Sequence, residues 1–256
     1  FSAEFSEHRA YGIGDEIKHI DWKLFGKTDR YYVKQFEEET NLRAHLILDQ
    51  SSSMDYGSGA LTKIEFAKTL FASFAYLMLK QQDAVGLTLF DTDIQNFIPP
   101  RSKYSHLNIL LSTLSKIKSG GETAIAPILH KIADRIHKKG LIILISDLFD
   151  DQLKTFNGLK HFRYNGHEVV VFHILDPQEK NFNFKERTRF IDKEIGQKIT
   201  TDPWYIKQSY QEEMKNFCNF FKFNCRKNKI DYIQISTHQN MDEVVANYLI
   251  KRNSVK

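Results

Sequence analysis

The chain has 256 residues and a net charge of +4, with 41% hydrophobic and 27% charged residues. That is the balance of an ordinary soluble globular protein, long enough for one large domain or two small ones. Lysine and arginine are spread rather than clustered, which argues against nucleic-acid binding. No apolar run approaches the ~20 residues of a membrane span.

Residues 1–40 are polar, aromatic and irregular, punctuated by Gly12, Gly14 and Gly26, with a possible strand at Arg30–Phe36. A regular alternation then sets in. Ala44–Leu48 reads as a strand. Thr62–Lys80 reads as a helix with Ile64, Ala67, Phe71, Phe74 and Met78 on one face. Ala84–Phe90 and Ile94–Ile98 read as strands joined by the turn Asp91-Thr92-Asp93. Tyr104–Ile117 is a helix, Lys118–Glu122 a loop, and Ala124–Lys138 a helix ended by Gly140. Leu141–Ser146 is short and almost wholly apolar, the sign of a strand covered on both faces. Asp151–Tyr164 follows as a helix and Glu168–Leu175 as another apolar strand. Residues 176–203 break the rhythm and hold a hairpin, Thr188–Asp192 with Gln197–Thr201. A long helix, Trp204–Lys227, a strand, Ile230–Ser236, and a helix, Met241–Lys251, finish the chain. The alternation predicts an α/β fold with a mainly parallel sheet flanked by helices.

Cys218 and Cys225 are the only cysteines. Seven residues apart on one helix, their Cα atoms stand ~10 Å apart, too far for a disulfide. This fits a reducing compartment, so a cytoplasmic location is expected, with peripheral membrane association left open. The chain opens on Phe1 rather than Met, so a piece of a longer protein is expected.

The most informative stretch is Leu46–Met54, LILDQSSSM. An apolar strand stops at Asp49, and hydroxyls follow at Ser51 and Ser53. Carboxylate and hydroxyl oxygens at alternate positions suit a hard cation. A Ser-rich turn capping the next helix explains the stretch equally well when it is read alone. Two more oxygen-bearing residues fall in loops at or beside strand ends, where open parallel sheets bind ligands. These are Thr123, otherwise an N-cap, and Asp147, otherwise a turn or capping residue.

Asp49, Ser51, Ser53, Thr123 and Asp147 together resemble the metal-ion-dependent adhesion site of von Willebrand factor type A domains. The order and strand context agree over residues 43–252, with 176–203 as an insertion. The resemblance implies a Mg²⁺ site, with Mn²⁺ or Ca²⁺ as alternatives. In it the serines and threonine contact the ion directly or through water, and the acidic residues bind it or hold its waters. One coordination position stays open for an acidic side chain of a partner protein.

A narrower resemblance covers nearly the whole chain. His8-Arg9-Ala10-Tyr11, Gly14-Asp15-Glu16, His19-Ile20-Asp21-Trp22 and Phe36-Glu37-Glu38-Glu39 lead into the Asp49 strand. Leu175-Asp176-Pro177 with Glu179, Phe190-Ile191-Asp192 and Ser236-Thr237 follow later. The series is similar to the bacterial family called domain of unknown function 58. Glu16 departs from it, standing where a second Asp is usual. This resemblance implies a family-specific segment over residues 1–42 packed on the 43–252 domain. It also implies work beside a MoxR-type AAA+ ATPase in protein remodelling or assembly.

Arg9, Asp15, Asp21 and Trp22 lack a nucleophile–base pairing, so they read as a structural anchor or a partner surface rather than a catalytic set. The histidines show no zinc spacing, and there is no P-loop and no G-x-G-x-x-G. The expectation is a non-catalytic interaction module. The alternatives are a metal-dependent hydrolase, opposed by the lack of an evident general base, and a scaffold with a vestigial metal site.

Overall fold

A computed structural model describes residues 2–12, 14–39, 42–117, 119–121, 124–184, 188–191, 198–201 and 203–253. The chain divides into two compact units, Phe1–Asn41 and Leu42–Lys256.

The first unit is more regular than its sequence suggests. Strand β1 (Ser2–Ala10) pairs antiparallel with β2 (Tyr32–Glu39), from Ser2↔Glu39 to Ala10↔Tyr32. The register shifts between Phe5 and Glu7. Helix α1 (Trp22–Thr28) lies between the strands in sequence. Asp21 starts it, accepting from the backbone N–H groups of Lys23 and Leu24 at 3.0 and 3.1 Å, a capping arrangement typical of Asp. The expectation of an irregular segment is therefore corrected. Ser2–Ala10 has almost no apolar alternation, and its partner strand is more than twenty residues away, so local pattern alone does not reveal it.

The second unit carries a six-stranded sheet. In chain order its elements are β3 (Arg43–Asp49), α2 (Lys63–Lys80), β4 (Ala84–Phe90), β5 (Ile94–Arg101), α3 (His106–Ser115) and α4 (Ile125–Arg135). Then come β6 (Leu141–Ser146), α5 (Gln152–Tyr164), β7 (Glu168–Leu175), α6 (Pro177–Asn181), the hairpin β8 (Thr188–Ile191) and β9 (Lys198–Thr201), α7 (Pro203–Lys227), β10 (Asp231–Ser236) and α8 (Met241–Asn253). The sheet order is β10-β7-β6-β3-β4-β5, and every pairing is parallel except β4 with β5. Central β3 pairs with β4 on one side and β6 on the other.

Strand periodicity divides the core between two faces. Leu46, Leu48, Ile143 and Ile145 pack with Phe71 and Phe74 of α2 and with Val244, Val245 and Tyr248 of α8. Ile47, Ile142 and Leu144 pack with Ile128, Leu129 and Ile132 of α4, Leu159 of α5 and Phe221 of α7. At roughly 1.5–3 kcal/mol for each fully buried large apolar side chain, these two layers hold the domain together. The apolar face expected for α2 is buried as expected. Its first turn carries a capping box, with Thr62 and Glu65 each bonded to the other's backbone. Helix α4 ends at Arg135, earlier than its pattern suggests, because Ile136 leaves the helix and is buried. Gly140 then passes so close to β3 that a Cβ there would meet the Arg43 carbonyl oxygen at 2.2 Å.

Candidate metal site

The sheet places Asp49 at the carboxyl end of its central strand, where parallel sheets hold ligands. Asp49 is fully buried. Its Oδ1 accepts from the Ser51 N–H at 2.9 Å and its Oδ2 from the Ser146 hydroxyl at 2.6 Å. The first bond is the local turn that Asp makes with the backbone two residues on. The second links β3 to its neighbour β6. Together they fix the carboxylate. The Ser51 and Ser53 hydroxyl oxygens stand 3.1 Å apart. This is a hydrogen bond in which either hydroxyl can donate, and its length is also close to the spacing of about 2.9 Å between adjacent oxygens on an octahedral Mg²⁺ with bonds of 2.0–2.1 Å. Ser51 is buried and Ser53 half-buried.

β6 delivers Asp147, also fully buried. Its Oδ1 accepts from the Phe149 N–H at 3.2 Å and its Oδ2 from the Lys63 ammonium at 2.7 Å. Between them buried Leu148 adopts φ 58, a left-handed conformation costly for a non-glycine residue. Its N–H donates to the Ser146 hydroxyl at 2.9 Å.

Thr123, the remaining sequence-predicted ligand, lies outside the described residues. The glycines just before it are tied to the Asp49 loop. Gly120 N–H donates to the Gln50 carbonyl at 3.1 Å, and the Ser52 hydroxyl donates to the Gly121 carbonyl at 2.7 Å. Gly121 has φ +86, where glycine is favoured.

The electrostatics suit a cation. Burial, and next the neighbouring Asp147 charge, push the Asp49 carboxyl up to about 7, against the lowering effect of its Ser146 and Ser51 hydrogen bonds. Two buried carboxylates side by side disfavour each other's ionisation. A divalent ion between them would remove that penalty, and the residues present therefore fit a hard cation. Among the described residues no group of three or more His, Cys, Asp or Glu side chains forms a metal cage. The candidate set relies on hydroxyls as well as carboxylates.

Single-sequence reading overlooks Lys63. It is the first residue of α2, a position where the helix dipole disfavours a cation, and that mismatch is the one signal the sequence offers. Its side chain is completely buried, bonded to Asp147 and, at 2.7 Å, to Glu179 Oε1. Burial opposes the charge, but Asp147 and Glu179 outweigh it and hold the ammonium above its usual range. Asp176, also buried, binds two loops at the same end of the sheet and caps α6. It accepts from Ser58 N–H at 2.9 Å, Ser58 Oγ at 2.5 Å, Gln178 N–H at 2.8 Å and Thr237 Oγ1 at 3.1 Å. These bonds hold its carboxyl below the usual range against the effect of burial.

Other candidates resolve into structural pairs. Arg9 binds Asp15 at 2.7 Å, and Asp21 binds His8 at 3.0 Å while capping α1. Trp22 is 58% exposed and stacks edge-on against Phe25. Asp91 accepts from Gln50, Gln95 and the Asp93 N–H, as a turn residue does. Asp150 caps α4, accepting from Ile125 N–H at 2.9 Å. Asp151 starts α5.

Solved structures share the fold, two of them from Bacteroides species. One is an aerotolerance-related membrane protein from Bacteroides fragilis, with TM-score 0.54 and 19% identity over 83% of this chain and 99% of that one. The other is BatB from Bacteroides thetaiotaomicron, with TM-score 0.52 and 19% identity over 84% and 100%. The uncharacterized protein Rv1480 of Mycobacterium tuberculosis is 24% identical over 184 residues, which cover 69% of this chain and 56% of that protein. The chain thus spans little more than half the length of that relative. Its mainly parallel six-stranded sheet flanked by helices is the α/β architecture expected from the von Willebrand A resemblance, and the D-x-S-x-S loop follows its central strand β3. A family profile described as "Protein of unknown function DUF58" matches residues 7–216, and the chain belongs to that family.

Proposed function

We propose that this protein is a non-catalytic interaction module that holds a divalent cation, Mg²⁺ by preference, and uses it to grip an acidic side chain of a partner protein. The observation that carries this reading is the 3.1 Å pair of Ser51 and Ser53 hydroxyls next to the buried, hydrogen-bonded Asp49. Asp49, Ser51 and Ser53 would ligate the ion or its waters. Asp147, with a donor on each oxygen already, would hold a water rather than displace Lys63. Thr123, the ligand expected from the resemblance, would complete the set. Neutral hydroxyl ligands leave positive charge on the ion, and a carboxylate from outside would satisfy it.

The von Willebrand A-like fold supports an interaction role, as an expectation from fold alone. The family resemblance supports a MoxR-type AAA+ ATPase, or its client, as the partner. Among the described residues no helix is long and apolar enough to cross a membrane. A cytoplasmic location is part of the proposal and rests on the free Cys218 and Cys225. The hydrolase alternative needs a general base, and His173, whose ring feels the Asp147 charge, is wholly buried.

The test is capture of partners from cell extract with Mg²⁺, with chelator, and with Asp49→Ala. A partner retained in Mg²⁺ and lost in both other arms is the expected result. A partner retained equally in all three would remove the ion from recognition.

A further inference from the structure

The proposed cation is not the first positive charge at this site. Lys63 is fully buried, with its ammonium 2.7 Å from Asp147 Oδ2, 2.7 Å from Glu179 Oε1 and 4.8 Å from the centre of the Phe149 ring. Its charge is taken up by the carboxylate expected to serve the ion. Glu179 is held in turn: its Oε2 accepts from the Asp176 N–H at 3.1 Å, and Asp176 binds Ser58 and Thr237. The ammonium is thus locked between β6 and α6 by a chain of bonds and is no solvated lysine passing by.

We infer that Lys63 is a resident counter-cation that sets the affinity of the site for divalent metal, by neutralising Asp147 and adding a positive charge beside the ion. The inference rests on the proposed metal reading. It follows from Coulomb's law in a buried setting, where a unit charge a few ångströms from an ion changes binding far more than it would in water. A weakly held, strongly Lewis-acidic ion suits reversible capture of an acidic partner group. Two carboxylates without the lysine would hold the ion tightly and leave it less attractive to a third.

The test is calorimetric titration of Mn²⁺ and of Mg²⁺ into the unchanged chain, Lys63→Met and the double variant Lys63→Met/Glu179→Gln. Methionine keeps the unbranched shape and most of the length of the side chain and removes its charge. The double variant spares Glu179 an unpaired buried charge and is expected to fold where the single variant does not. Thermal melts in chelator and in Mg²⁺ report folding independently of binding. Tightening by about tenfold or more is expected in Lys63→Met, and a smaller tightening in the double variant, which loses one charge of each sign, the positive one being bonded directly to Asp147. Metal binding that appears only in the variants would also support the inference. Equal or weaker binding in a folded variant, beside measurable binding by the unchanged chain, overturns the role of Lys63 and leaves the metal reading intact. No binding by any of the three overturns both. Failure of both variants to fold even in Mg²⁺ also overturns it, because the divalent ion should then replace the ammonium.

Discussion

Asp176→Ala tests how the site is held. Asp176 is buried and its carboxylate accepts four hydrogen bonds, two from Ser58, one from Thr237 and one from Gln178. The Gln178 bond is a helix cap, worth about 1 kcal/mol. The Ser58 and Thr237 donors tie the loops after β3 and β10 to the end of β7. Hydrogen bonds to a charged acceptor contribute about 1.5–3 kcal/mol each, but they share one acceptor and water relieves part of the loss. The substitution should therefore cost about 3–5 kcal/mol, well above the typical surface change. Thr237→Val removes a single donor and should cost about 1–1.5 kcal/mol. In the double variant the Thr237 penalty should largely vanish, giving a coupling of about 1 kcal/mol. Urea unfolding in chelator, followed by circular dichroism and by tryptophan fluorescence, measures all three. A cost below about 1 kcal/mol for Asp176→Ala, or strictly additive costs, would refute the clamp.

Other outcomes follow from the charges. Asp49→Asn in chelator at pH 8 should be neutral or stabilising in thermal melts, because it removes a buried charge that burial and Asp147 make costly, while Mg²⁺ should no longer raise its melting temperature. Metal affinity of the unchanged chain should weaken as pH falls below about 7, by up to tenfold per unit, because Asp49 must lose its proton to bind; an affinity flat from pH 8 to 5.5 in calorimetry would contradict this. His45 and His173 are buried neutral, each pushed down to about 4 by burial. Their folded values lie below the unfolded one, so their contribution is present above about pH 6.5 and is lost as pH falls toward 4. Replacing His173 with Phe should lessen the acid loss of stability by about 1–3 kcal/mol in urea titrations between pH 7 and 4.5.

The sheet was legible because its strands are short apolar runs with helices between them, and 141–146 and 168–175 stand in the structure as their sequences suggest. The positions of Asp49 and Asp147 at strand ends, and of Ser51 and Ser53 in the loop after Asp49, were legible because the ends of short apolar strands are predictable. β1 was not, since a polar strand shows itself only through a distant partner. Lys63 was not, nor was its pairing with the motif residue Glu179, since an ion pair across 116 residues leaves no local pattern. Asp176 could be noticed as a motif residue, but its role needs Ser58 and Thr237 brought to the end of β7 by two other strands, β3 and β10.

The account stands or falls on the cation. Calorimetric titration of Mg²⁺ into the chain and into Asp49→Ala tests it most directly. One ion per chain, with binding abolished in the variant, is the predicted result. Equal heats in both proteins, or none in either, would contradict it.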